Sequence, residues 1–352
     1  MQTPSRPLLH ALVGDEEVEA FFSDAAELAA MLRTEAALAE AGAGAGLIDR
    51  EAARRIGEAC RAFQPDWAGL AEGLARDGVV VPELVKQLRA ATGEPHGRSV
   101  HVGATSQDII DTALVLRLKD VLAIVERRLD ALIASLRALQ AREGAATLMA
   151  HTRMQQALPF TAADKIDTWV QPLERQRQGL RDLAPRLLAV QLGGPIGTRA
   201  ELKGRGDAVA AAMAGILGLG SAPPWHSQRD RIGELAAFLS LLSGTLGKFG
   251  QDIALMAQNE VGEVRLAAGG GSSAMAHKSN PVGAEVLVAL ARFNAGLLGT
   301  LHQALVHENE RSGAAWTLEW LVLPRMAVTT AAGLSKALAL SGGVSFAPAK
   351  AP

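Results

Sequence analysis

The segment 269–281 carries the densest set of reactive side chains in the sequence. Three glycines precede the hydroxyl groups of Ser272 and Ser273, and the ammonium of Lys278 and the amide of Asn280 follow. Glycine frees the backbone at an entropic cost, so a run of glycines is expected where the chain must move or approach a ligand closely. A loop of this composition can open for a substrate and close to exclude water. The segment is therefore predicted to be a functional loop, because a plain linker would not usually carry so many polar groups.

A second set of polar groups stands where a long helix is predicted to begin. His101 and Gly103 lead into Thr105, Ser106 and Asp108. Thr105 or Ser106 could cap the helix, and Asp108 would lie in its first turn, where negative charge is favoured. The same hydroxyls and the free backbone N–H groups could instead bind an anion. The residues alone leave both interpretations open.

Two further segments place cations near a predicted helix. The segment 151–159 holds Arg153 and Gln155, a composition that is also common on an ordinary solvated surface. The segment 307–320 holds Arg311, which could grip a carboxylate through two parallel hydrogen bonds. Its other interpretation is a charged helix end with two tryptophans packed beneath it.

The composition argues against several classes of function. The chain of 352 residues has 35 Lys and Arg against 37 Asp and Glu, so no basic excess points to a nucleic acid or a membrane surface. Its single cysteine, Cys60, is interpreted as a small buried residue and suits a reducing cytoplasm. The sequence shows no Cys and His pattern of a metal site, no signal peptide and no transmembrane helix. A soluble cytoplasmic protein is expected.

Helical periodicity dominates the sequence. Aromatic residues make up 4% of the chain, while Ala and Leu, which are strong helix formers, are abundant. Leucines and valines recur at threes and fours from Leu114 to Leu139. The spans 97–158 and 225–280 contain no proline, which permits helices much longer than usual. Such helices pack lengthwise, so the sequence predicts an all-α long-helix bundle.

Breaks in the helical pattern suggest how the chain is organised. We predict an N-terminal helical domain over residues 1–100 and a long-helix bundle domain over 101–340 that carries the functional loop. A Gly-, Pro- and Ala-rich tail over 341–352 is expected to fray. Small residues along the long helices permit close approach of neighbouring helices, including those of other subunits.

The four segments, in this order and in a helix-rich chain, resemble those of the fumarase/aspartase superfamily. The loop at 271–281 is similar to the signature G-S-S-x-M-P-x-K-x-N-P, with Ala276 in place of the usual proline. The segment beginning at Thr105 resembles T-S-x-D-x-x-D-T, and 155–159 matches Q-x-A-x-P. The resemblance covers roughly 101–320. It implies an L-aspartase-like all-α fold, a homotetramer with a central bundle of long helices, and active sites assembled from several subunits.

Within the superfamily, the sequence is similar to the carboxymuconate cycloisomerases. His101 and the loop pair 277–278 are shared with the adenylosuccinate lyases, but the pattern over 313–320 resembles the cycloisomerases. Lyases of the superfamily carry a His, which helps to protonate the leaving group, where this chain has Arg153. Where the corresponding group is a carboxylate instead of an amine or hydroxide, it needs no such proton, because the conjugate acid of a carboxylate is already strong. The exchange therefore suits lactone formation, in which a substrate carboxylate attacks its own conjugated alkene.

The resemblance implies conversion of 3-carboxy-cis,cis-muconate to a lactone in the breakdown of protocatechuate by the β-ketoadipate route. Ser272 would deliver a proton to carbon, Lys278 would stabilise the charge that builds there, and His101 would orient the substrate or donate. The residues expected to hold this small anionic di- or tricarboxylate are Thr105, Ser106, Arg153, Gln155, Ser273, Asn280 and Arg311. No cofactor and no metal is expected, because the substrate supplies its own nucleophile and acidifying group.

Other functions stay open on the sequence. They are an adenylosuccinate-type lyase that releases fumarate, a 3-sulfomuconate cycloisomerase, a non-catalytic structural relative, and a helical scaffold that binds other proteins. The superfamily usually carries a further C-terminal helical domain beyond the point where this sequence ends, so a short form is expected.

Overall fold

The computed structural model describes residues 7–271, 275 and 278–347. The α-helices of this part are α1 (His10–Val13), α2 (Glu16–Glu19), α3 (Asp24–Gly44), α4 (Arg50–Arg61), α5 (Trp67–Asp77), α6 (Val81–Thr92), α7 (Ser106–Glu143), α8 (Ala162–Leu187), α9 (Gly206–Leu217), α10 (Asp230–Met256), α11 (Val282–Gln303) and α12 (Gly313–Gly343). The short 3₁₀ helices are Ala20–Phe22, His96–Ser99 and Ala200–Leu202. The strands are β1 (Thr147–Thr152), β2 (Gln155–Thr161), β3 (Val264–Leu266) and β4 (Val344–Phe346).

Helix α7 begins where the sequence predicts a helix start. Thr105 is the N-cap residue with extended backbone, and its N–H donates to the carboxylate of Asp108 at 2.9 Å. The leucines that recur at threes and fours are buried, with Leu129, Leu132 and Leu136 each at 0% exposure. The helix has 38 residues. At a rise of 1.5 Å per residue its axis is about 55 Å long.

The long helices pack lengthwise around one hydrophobic core, which confirms the predicted bundle. Helix α8 runs antiparallel to α7: Arg137 late in α7 pairs with Asp167 at the start of α8, whereas Arg181 late in α8 pairs with the earlier α7 residue Glu126. Helices α10 and α11 are also antiparallel and lie close together. A Cβ on Gly247 of α10 would stand 2.5 Å from the Cβ of Ala291 of α11, so a small residue is needed at this crossing.

The N-terminal helices form a second core against the first turns of α7. Leu84 and Leu88 of α6 are fully buried in it, as is Ile109 of α7. Helix α7 contributes to both cores, so the division near residue 100 stays a prediction. The first part of the tail predicted to fray over 341–352 is ordered, since α12 runs to Gly343 and β4 pairs antiparallel with β3. Residues 348–352 lie outside the described residues.

The sequence did not predict the hairpin formed by β1 and β2. The two strands pair antiparallel, and the turn consists of Arg153 and Met154, both with left-handed backbone (φ 50° and 66°). Such a turn is usually signalled by Asn-Gly or Asp-Gly. Arg-Met carries no such signal, so the sequence predicts only polar residues before a helix in this segment and no hairpin.

Within the described residues, two helices, α10 and α11, are long and apolar enough to cross a membrane by length and composition alone, a test that buried core helices also pass. They differ in burial. The most apolar stretch of α10 is 61% buried, whereas that of α11 is only 28% buried. Helix α11 therefore leaves an apolar face uncovered in the single chain.

Candidate active site

The predicted site residues fall into two groups, one at each end of the bundle. The α7-start group comprises His101, Thr105, Ser106 and Arg311. The hairpin–loop group comprises Arg153, Gln155, Lys278 and Asn280. Ser272 and Ser273 lie outside the described residues. Because α7 spans about 55 Å between its first turn and the hairpin, the two groups do not meet within one chain.

Arg311 lies beside the first turn of α7, although 204 residues separate it from Gln107. Its Nε donates to Oε1 of Gln107 at 2.9 Å, and its Nη2 donates to the carbonyl of Pro195 at 3.2 Å. The Gln107 side chain is fixed in turn, since its Nε2 donates to the carbonyl of His226 at 2.9 Å. Nη1 of Arg311 has no hydrogen-bond partner among the described residues, and the side chain is exposed. The guanidinium is thus oriented by the protein with donors left for an anion.

Asp108 holds the loop after α8 against the start of α7. Its carboxylate accepts the backbone N–H groups of Gly193 at 2.7 Å and Gly194 at 2.9 Å, and lies 2.7 Å from Nε2 of His226. A Cβ on Gly193 would stand 2.6 Å from the His226 ring, so glycine is required for this close approach. Asp108 is fully buried. It therefore organises the site instead of meeting a substrate, in agreement with the helix-start interpretation.

A buried ion network ties the start of α12 to the start of α7. Arg229 donates to both oxygens of Asp111 at 2.7 and 3.1 Å, and to both oxygens of Glu319 at 2.8 and 2.5 Å. The indole N–H of Trp316 donates to Asp111 at 3.2 Å. Burial works against ionisation of Glu319, but the hydrogen bonds and the charge of Arg229 outweigh it and lower the pKa of Glu319. Likewise the two carboxylates outweigh burial and raise the pKa of Arg229. Burial raises the pKa of Asp111 even with Arg229 beside it, so the charge of the network rests chiefly on the pair of Arg229 and Glu319. The network positions the segment that carries Arg311.

Sequence reasoning missed Arg229 and Glu319 because their partners are distant along the chain. The ion pairs join residues 118 and 90 positions apart. Glu319 stands in the pattern over 313–320 that resembles the cycloisomerases, but nothing local pairs it with Arg229. Asp111 falls inside the motif that begins at Thr105, so two of the three residues lie in segments that the sequence singled out, while Arg229 gave no signal.

His101 forms a pair with Glu35 of α3, which sequence reasoning also missed. Nδ1 of His101 lies 2.6 Å from Oε1 of Glu35, whose side chain is 0% exposed. Burial works against the imidazolium, but the Glu35 carboxylate outweighs it and raises the pKa of His101. Glu35 gave no signal because it stands in an Ala- and Leu-rich helix, where a lone acidic residue normally faces solvent.

In the hairpin–loop group, Arg153 and Gln155 lie exposed at the hairpin turn, and the second strand then leads directly into α8. The base of the loop is closed by a reciprocal pair of backbone hydrogen bonds, both 2.8 Å, between Gly270 and Asn280. A Cβ on Gly269 would overlap Oγ of Ser279 at 1.8 Å, so a larger residue there would displace the Ser279 hydroxyl. The Lys278 side chain is exposed. Gly269 and Gly270 therefore serve the closed base of the loop.

Hairpin and loop lie at the same end of the bundle. The N–H of Met149 in β1 donates to Oε1 of Glu263 at 2.8 Å, just before β3. The N–H of Phe346 in β4 donates to Glu143, the last residue of α7, at 2.6 Å. Strand β3 then leads into the loop.

A cavity of about 510 Å³ lies elsewhere, between α3, α5, α7 and α12. It is lined mainly by apolar side chains, among them Trp67, Leu70 and Trp320, with Arg117 at its wall. None of the predicted site residues lines it. Among the residues that the structure describes, no cluster of three or more His, Cys, Asp or Glu side chains could hold a metal ion.

Comparison with known proteins places the chain. Residues 13–293 match the model of a family described as a lyase family. The chain is 43% identical over 348 residues to a 3-carboxy-cis,cis-muconate cycloisomerase of Pseudomonas aeruginosa, covering 97% of this chain and 76% of that protein. It is 34% identical to an N-acetyl-S-(2-succino)cysteine lyase of Enterococcus italicus, covering 91% and 71%. The crystal structure of 3-carboxy-cis,cis-muconate lactonizing enzyme from Pseudomonas putida superimposes with a TM-score of 0.91 at 40% identity, covering 97% of this chain and 78% of that one. The chain belongs to this lyase family, within the fumarase/aspartase superfamily.

Proposed function

We propose that the chain catalyses the lactonisation of 3-carboxy-cis,cis-muconate in protocatechuate catabolism. The observation that carries the proposal is the 43% identity to the Pseudomonas aeruginosa cycloisomerase across 97% of the chain. The site chemistry supports it, because Arg153 stands where a lyase would need a proton-donating His. The four cationic groups His101, Arg153, Lys278 and Arg311 suit a substrate with three carboxylates.

The reaction is an internal conjugate addition. One carboxylate oxygen forms a bond to the far alkene carbon, and the π electrons move to the carbon next to another carboxylate, where an aci-carboxylate builds up. Ser272 then protonates that carbon, and no atom is lost. Lys278 stabilises the developing charge, while Asn280 and Arg311 hold carboxylates. Thr105, Ser106, Gln155 and Ser273 fix the rest of the substrate.

The site is completed between chains. The α7-start and hairpin–loop groups lie at opposite ends of one bundle, so an antiparallel neighbour would bring the hairpin–loop group of one chain to the α7-start group of another. Helix α11 offers the surface for it, with the exposed stripe Ala289, Phe293, Gly296 and Thr300 at helical spacing. We propose a homotetramer in the cytoplasm, built on this face.

The test is the loss of ultraviolet absorbance of 3-carboxy-cis,cis-muconate with purified protein, with 3-sulfomuconate and adenylosuccinate in parallel. Conversion of the carboxymuconate to a lactone is expected. Turnover of 3-sulfomuconate alone would show that the substrate carries a sulfonate in place of the 3-carboxylate. No reaction with any of the three compounds would refute the proposal.

Replacement of Ser272 by Ala tests the proton transfer. We expect turnover to fall with substrate binding retained, since only a transition-state interaction is removed. Near-normal turnover would exclude Ser272 as the proton donor.

A fumarate-releasing lyase is the second candidate. The 34% identity to the succinocysteine lyase favours it, because that name describes cleavage of a succinyl thioether. Fumarate formed from a succinyl substrate, with no lactone from carboxymuconate, would establish it in place of the first.

A further inference from the structure

We infer that buried Glu35 is a positioning residue that holds His101 as a charged hydrogen-bond donor to a substrate carboxylate. The inference rests on the proposed function, in which the α7-start group receives a tricarboxylate. Glu35 lies on α3, 66 residues from His101, and its Oε1 is 2.6 Å from Nδ1 of the imidazole. A carboxylate in this place keeps the Nδ1 proton and fixes the ring orientation.

The second ring nitrogen of His101 is the one left to act. In the part of the chain that the structure describes, Nε2 makes no hydrogen bond, and the side chain is 14% exposed. The His101 backbone is left-handed, with φ of 67°, a conformation that few non-glycine residues adopt. Residues held in this way cluster at functional sites. The fold thus places the imidazole with Nδ1 anchored and Nε2 available.

The charges around His101 favour its protonated form. Glu35 on α3 and Asp108 on α7 favour the imidazolium, whereas Arg89 on α6 and burial disfavour it. The net direction is a raised pKa of His101. Oε2 of Glu35 is buried without a hydrogen-bond partner among the described residues, so this carboxylate depends on His101 for compensation. The His101 imidazolium is therefore a second cation, besides Arg311, at this end of the bundle.

The experiment compares Glu35→Gln with Glu27→Gln, the same change on the same helix at a residue that pairs weakly with Arg117 at 3.3 Å. Imidazole nitrogens are followed by NMR on ¹⁵N-histidine-labelled protein, and His101→Gln assigns the signal. In Glu35→Gln the His101 titration and the high-pH limb of kcat/KM should both move to lower pH. At neutral pH kcat/KM should fall about 10-fold, less than the roughly 100-fold or more expected when His101, an entire donor, is removed. Glu27→Gln should leave both readouts unchanged.

The double variant Glu35→Gln/His101→Gln should be no slower than His101→Gln alone, since Glu35 acts through His101. Additive losses, or an unmoved His101 titration in Glu35→Gln, would overturn the inference. If Glu35→Gln fails to fold, Glu35→Asp keeps the charge farther from the ring and should move the titration part of the way. The NMR titration needs no substrate. A shift without any lactonisation would support the pair and refute only the proposed reaction.

Discussion

Removal of Arg229 should destabilise the protein far more than removal of its neighbour Arg231. Arg229→Met takes away four hydrogen bonds and leaves the carboxylates of Asp111 and Glu319 buried without their cation. Breaking a buried ion pair by deleting one partner costs about 3–5 kcal/mol. Because two carboxylates are stranded here, we expect a loss at the upper end of that range. That is a large part of the roughly 5–15 kcal/mol that stabilises an ordinary domain.

Arg231→Met is the matched control. Both guanidinium groups lie over the Trp225 ring, at 4.9 Å for Arg229 and 4.7 Å for Arg231. Arg231 donates one hydrogen bond to the Arg186 carbonyl at 3.1 Å and has no ion pair within 4.0 Å among the described residues. Its loss should therefore cost only about 1 kcal/mol. Urea unfolding at pH 7, followed by tryptophan fluorescence at one fixed protein concentration, measures the difference.

The pH dependence gives the reasoning a second check. Without Arg229, burial raises the folded-state pKa of Glu319 above the unfolded value and raises further that of Asp111, which burial already raises in the intact protein. The folded variant then binds more protons, so its deficit in stability is greatest above those raised pKa values and shrinks as pH falls from them toward the unfolded values. Asp111→Asn with Glu319→Gln should restore much of the stability of Arg229→Met. Equal losses in Arg229→Met and Arg231→Met, or a deficit that does not change with pH, would refute the assignment of a charged network.

Three further outcomes are expected. Ser272→Ala and Arg311→Met should each be nearly inactive. If the α7-start and hairpin–loop groups of one site come from different chains, a one-to-one mixture of the two variants refolded together should recover about a quarter of wild-type activity. No recovery would place both groups in one chain. Phe293→Glu should split the assembly into smaller species in size-exclusion chromatography and abolish activity, and an unchanged elution volume would move the interface off α11. Burial, aided by nearby Glu35, raises the pKa of Cys60 to about 12, so the native thiol should resist a disulfide reagent at pH 8 and react only on unfolding.

The sequence by itself determined the helical architecture and the loop. Leucines at intervals of three and four residues over proline-free spans predict long amphipathic helices. The helix start at Thr105 was likewise predictable, because capping depends on residues within one turn. The functional loop over 269–281 was predictable from its dense set of polar side chains and its resemblance to a family signature. These are local properties, and local spacing suffices to specify them.

Tertiary structure alone decided how those pieces meet. The partners of Arg229 and His101 come from helices tens of residues away, and no periodicity encodes such a pairing. The hairpin at Arg153 arose from two left-handed residues that carry no turn signal. Above all, the length of α7 puts the α7-start group and the hairpin–loop group at opposite ends of one chain. A sequence lists the candidate residues of a site, but the rigid length of a helix keeps these two groups apart within one chain, which is why we propose that a second chain completes the site.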